Sequence, residues 1–131
     1  MAELTDRLFI DTKVLFSAAH SENSDFQRLW QLPDVTLIIS TYILDEVLRH
    51  IVEPRRLERL GRLLAGVEVI ANWEHVSLPD NMASLRQKDI PVMQAAIAAQ
   101  ATHLITGDRH DFGDYFGMVK RAWKSSSLPS I

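Results

Sequence analysis

The chain has 131 residues and a formal net charge of −3, with 47% hydrophobic residues, 24% charged residues and no cysteine. This composition suits a single globular domain over residues 1–131 and excludes a disordered chain, a disulfide scaffold and a zinc–thiolate centre. The acidic balance argues against a broadly basic nucleic-acid binder, although a local basic stripe can still hold phosphates.

The first residues, MAELTDRL, carry acids where a secretory leader needs a basic start and an apolar core. No stretch reaches the ~20 apolar residues of a membrane span. A cytoplasmic, reducing location away from membranes is therefore the expectation. In chain order, the first apolar run is LFI at 8–10, which stops abruptly at Asp11, with Lys13 two residues on. SDFQRLWQL at 24–32 predicts a helix capped by Ser24. VTLII at 35–39 predicts a second strand. TYILDEVLRHI at 41–51 predicts a helix with Leu44, Val47, Leu48 and Ile51 on one face and Ser40 or Thr41 as cap. PRRLERLGRLLAG at 54–66 starts on proline, carries a stripe of Leu57, Leu60 and Leu64, and stops near Gly66. VEVI at 67–70 is the third strand. DIPVMQAAIAAQA at 89–101 is a helix with Asp89 as cap, and HLIT at 103–106 is the fourth strand.

The strand runs are nearly continuous in apolar residues, which is the habit of parallel strands covered on both faces. Alternation of strand and helix then implies βαβ units and a three-layer α/β/α fold around a mostly parallel sheet of four or five strands. Ligands of such folds bind beyond the carboxyl ends of the strands. Asp11 follows the first strand and Asp108 follows the fourth, after Gly107. Asp89 heads a helix that runs back from the same edge. Each acid alone is an ordinary turn or cap residue. Two carboxylates ~4 Å apart repel by about 4 kcal/mol at an effective dielectric of ~20, so convergence demands protonation, a base or a cation. Hard divalent ions such as Mg²⁺ favour oxygen ligands of this kind.

In order and spacing these segments resemble the PIN-domain family, especially VapC-like toxin ribonucleases and small stand-alone relatives. LFIDTKVLFSAA is similar to the opening strand and acidic motif. STYILDEVLRHI is similar to the helix that brings a glutamate. KDIPVMQAAIAAQATHLITGDRHDFGDYFG is similar to the third-acid helix, its strand and the TGD…FG segment. The likeness runs from Leu8 to Gly117. It implies a metal-dependent ribonuclease in which Asp11, Glu46, Asp89 and Asp108 are catalytic and hold Mg²⁺ or Mn²⁺. Glu46 rests on the resemblance alone, with Asp45 an equal rival on the helical wheel. From the residues themselves, Thr12, Lys13, Arg109 and Asp111 are candidate modulators or substrate contacts, and Asp111 and Asp114 are candidates to complete a second metal's shell. RNA is the implied substrate, and an antitoxin protein and a second copy of the chain are the implied partners.

Two departures from the family stand out. Lys13 occupies a place that usually holds asparagine, and it brings a positive charge and three donors. The ending MVKRAWKSSSLPSI is basic and then serine-rich, which predicts a loose or remodelled tail over 118–131. These departures motivate a second reading, a catalytically weak or inactive PIN-like module that binds RNA or protein. A phosphate-accepting receiver domain is a third class, but Asp11 lacks the acidic neighbour that receivers place after their first strand. Arg55, Arg59 and Arg62 share a helix face and form a candidate RNA stripe or a solvated surface. The five histidines show no zinc-ligand spacing, and there is no P-loop, GxGxxG or GxSxG. Trp30 reads as core, and Trp73 and Trp123 as surface or partner contacts.

Overall fold

The computed structural model describes residues 6–22, 24–80 and 85–106. Four strands, β1 (Asp6–Ile10), β2 (Val35–Ser40), β3 (Val67–Ile70) and β4 (His103–Ile105), form one sheet in the order β3-β2-β1-β4. Every pairing among them is parallel, with Leu8 opposite both Leu37 and His103. Four α-helices connect them: α1 (Thr12–His20), α2 (Thr41–His50), α3 (Pro54–Leu64) and α4 (Ile90–Ala98). A 3₁₀ helix spans Asp25–Gln31, and a 3₁₀ turn, Gln87–Asp89, leads into α4.

The expected three-layer α/β/α architecture is present. The chain walks from β1 to β2 to β3 in one direction and then returns past them to β4. With right-handed crossovers, that reversal puts α4 on the face opposite the helices of the outward path. Consecutive β1 residues Leu8, Phe9 and Ile10 are all buried, as they must be when both faces are covered. β3 differs: Glu68 and Val69 are exposed because it forms an edge of the sheet. Helix α3 packs on α1 through Leu60, while Leu57 from the expected stripe stays largely in solvent.

Local signals explain most helix ends. Asp11, Ser24 and Ser40 all cap as side-chain acceptors for the amides of Val14, Phe26 and Ile43. Asp89 does not. It closes the preceding 3₁₀ turn in a helical conformation (φ −92°, ψ −13°), so its carboxylate makes no capping bond. The basic helix face is partly occupied: Arg59 binds Glu22 at 2.6 Å and the Ala19 carbonyl at 2.8 Å, and Arg62 reaches Glu22 at 3.1 Å. Arg59 thereby finishes α1 and holds the Glu22 carboxyl below the usual range. Of the tryptophans, Trp30 is half-buried and donates to the Leu63 carbonyl, and Trp73 is buried rather than superficial.

Helix α4 ends in a Schellman motif: the amide of Gln100 donates to Ile97 O and that of Ala101 to Ala96 O. The motif needs a left-handed residue, and Gln100 supplies it at φ 55°. For a side chain with a Cβ that conformation costs roughly 1–2 kcal/mol. Gln100→Gly is therefore expected to stabilise the chain by about 0.5–1 kcal/mol. A rise of a few degrees in the thermal midpoint bears this out, and a fall contradicts it.

Candidate functional site

The strand order reverses beside β1: β2 lies on one side and β4 on the other. In an open parallel sheet the carboxyl ends of two such strands frame the ligand crevice. Asp11 leaves β1 at this point, and its amide extends the ladder by donating to Ile105 O at 3.1 Å. The side chain is buried, at 5% exposure. One carboxylate oxygen accepts from the Val14 amide at 3.0 Å. The other accepts from the hydroxyl of Thr106, the residue that leaves β4. Asp11 thus sits at the positive end of the α1 dipole and spans the crevice at the same time.

Glu46 arrives from α2. The buried face of that helix centres on Ile43 and Val47, with Leu44 half-buried and Leu48 45% exposed. The apolar face is thus rotated from the expected stripe toward Ile43, and this carries Glu46 to the flank nearest the end of β1. There the Thr12 hydroxyl donates to Glu46 at 2.7 Å. Asp45, its rival, is exposed. Thr12 and Asp11 are neighbours, so two expected acids meet through one dipeptide. Tyr42, one turn before Glu46, lies within electrostatic reach of it. Burial pushes the Tyr42 phenol above its usual range, and the nearby Glu46 charge pushes the same way. Asp89 adds to that effect, which sets its carboxylate within electrostatic reach of Tyr42.

Asp89 itself is 5% exposed, with the Arg86 guanidinium 4.0 Å from its carboxylate. Lys13 is exposed on the first turn of α1 beside Asp11. Asp108, Arg109, Asp111, Asp114 and the tail 118–131 lie outside the described residues, as does any fifth strand after β4. Among the described residues, no three His, Asp or Glu side chains by themselves form a metal-holding group. Asp11 and Glu46, linked through the Asp11–Thr12 dipeptide, offer oxygen alone, the donor type that suits Mg²⁺ or Mn²⁺, and such ions need only one or two carboxylates beside water and phosphate. Thr106 and Tyr42 carry no signal of their own in the sequence. Thr106 directly precedes the Gly107–Asp108 pair, and Tyr42 stands four residues before Glu46, a spacing that brings side chains together on a helix.

No match to the chain is found among curated proteins. A family profile described as "PIN domain" matches residues 7–110, from β1 to just beyond β4.

The phenol offers a direct check of the Glu46 contact. In a Tyr115→Phe background, Tyr42 is expected to ionise above the usual ~10, and Glu46→Gln is expected to bring it back toward that value. Phenolate absorbance against pH reads both. Because the folded pKa is the raised one, this group leaves stability unchanged below ~10 and costs stability as pH rises through the raised value.

Proposed function

The chain belongs to the PIN-domain family, a nuclease-type fold whose members typically bind divalent metals, and on that premise we propose that it is a metal-dependent endoribonuclease. The observation that carries the reading is the pair of anchored acids at the strand-order reversal: Asp11, held by Val14 and Thr106, and Glu46, held by Thr12. Asp89 is the third acid of the proposed set, and Asp108 the fourth.

Asp11, Glu46, Asp89 and Asp108 would hold Mg²⁺ or Mn²⁺. When bound, such an ion lowers the pKa of water and offsets charge on a phosphoryl oxygen. The chain's own part is orientation. Thr106 and Val14 hold the two Asp11 oxygens in fixed directions, and Thr12 holds Glu46 beside them. Water adds to phosphorus in line with the leaving oxygen, the bond to that oxygen breaks, and the proton released by the water is passed on to it. No covalent link to the chain is required.

RNA is the proposed substrate and the cytoplasm the proposed location; no described helix is long and apolar enough to cross a membrane. A cognate antitoxin and a second copy of the chain are the proposed protein partners. An exposed apolar strip, Leu48, Val52 and Leu57 around the turn from α2 to α3, supports a protein contact. A second reading, an inactive module on the same fold, draws on Lys13, exposed two residues after Asp11 on the first turn of α1.

Two substitutions separate the readings. Asparagine caps a helix as well as aspartate, so Asp11→Asn keeps the fold while removing the charge. Cleavage of RNA with Mn²⁺ is expected to fall by at least ~100-fold, beyond the 10–100-fold typical of losing a partner outside the ligand set. Equal cleavage by wild type and variant rules the ribonuclease reading out. Lys13→Asn is expected to tighten Mn²⁺ binding several-fold. Weaker cleavage with unchanged Mn²⁺ binding would instead put Lys13 on a substrate phosphate.

A further inference from the structure

Resting on that reading of the site, we propose that the segment after β3, residues 71–80, is a brace that sets the spacing between Glu46 and Asp89, with Trp73 and Gln94 as its positioning residues. The two acids ride on different helices, and both helices are tied to one short stretch of this segment. Toward α2, the Trp73 indole N–H donates to Thr41 Oγ1 at 3.2 Å. The Trp73 ring also meets Tyr42 edge-on, with centroids 5.9 Å apart and planes at 76°. Tyr42 in turn stands one helical turn before Glu46 on α2. Toward α4, the Gln94 side-chain amide donates to two carbonyls of the segment, Glu74 O at 3.1 Å and Val76 O at 2.9 Å. Gln94 stands on the helix that Asp89 begins. Between the two attachments, the Val76 amide donates to Trp73 O at 3.2 Å and closes the segment into a turn.

Both attachments therefore fall within residues 73–76, and a turn closed by that backbone hydrogen bond joins them. Trp73 is buried at 9% exposure, so its indole N–H has a specific partner and a fixed direction. Gln94 spends both amide hydrogens on backbone, which fixes α4 against the turn in register as well as in distance. An ion such as Mg²⁺ accepts little error, since its ligands must lie about 2.0–2.1 Å away in near-octahedral array. A change in the spacing of the two helices is then felt as lost metal affinity, although neither Trp73 nor Gln94 touches the metal.

The test is a calorimetric Mn²⁺ titration of the full chain as wild type, Trp73→Phe, Gln94→Met and the double variant, with RNA cleavage measured over the same Mn²⁺ range. Phenylalanine keeps the ring contact and loses the N–H; methionine keeps most of the volume and loses both donors. Each single variant is expected to raise the Mn²⁺ dissociation constant roughly tenfold. Cleavage is expected to recover at saturating Mn²⁺, which a loss of folded protein would not allow. Should the double variant fail to fold, the single variants decide the matter. Wild-type Mn²⁺ constants in both single variants, with only the thermal midpoint lowered, overturn the brace and leave the ribonuclease reading standing. A wild type that binds no Mn²⁺ overturns both.

Discussion

The hydrogen bond from the Thr106 hydroxyl to Asp11 joins the carboxyl ends of β1 and β4 at the place where the sheet reverses its order. Much else follows from that reversal. A parallel sheet that grew in one direction only would leave β1 at an edge. The return to β4 makes β1 central, buries Leu8, Phe9 and Ile10 on both faces, and opens a crevice at their end. Into that crevice the chain sends a carboxylate, not another apolar residue. The carboxylate is acceptable there because a helix amide and a hydroxyl meet its two oxygens.

Further acids reach the same edge by different means. Glu46 is delivered by the rotation of α2 about its Ile43–Val47 face and is fixed by Thr12. Asp89 is delivered by the 3₁₀ turn that precedes α4 and is kept from capping by its own backbone angles. Asp11 and Glu46 thus each have an anchor of their own, and Asp89 has the Arg86 guanidinium 4.0 Å away. A divalent cation is the natural counter-charge for carboxylates brought to one sheet edge. Trp73 and Gln94 extend this logic outward by fixing the helices that carry the acids.

Much of the architecture was legible in the sequence. Apolar runs such as LFI and VTLII, separated by capped amphipathic segments, carry the signature of a covered parallel sheet, and strand VEVI falls where its pattern puts it. Asp11 was legible because a charge at the end of a buried strand is costly unless hydrogen bonds or a cation meet it. The choice of Glu46 over Asp45 was not, because Leu48 counts toward an apolar stripe on a wheel and yet lies in solvent once α2 has packed on its neighbours. Thr106, Tyr42, Trp73 and Gln94 were illegible for a related reason. Thr106, Trp73 and Gln94 act through tertiary contacts, and Tyr42 meets the Trp73 ring; such contacts leave no period in the sequence. At Glu46 the choice rested on the resemblance to PIN domains, the family that the match over residues 7–110 shows.

The central claim is that these acids form one cation site. A crystal of the chain grown with Mn²⁺ tests it by anomalous scattering. The account predicts a strong peak at the crevice between β1 and β4, within coordination distance of the Asp11 carboxylate and lost in Asp11→Asn crystals. A peak remote from Asp11, or none at that crevice under saturating Mn²⁺, would contradict it.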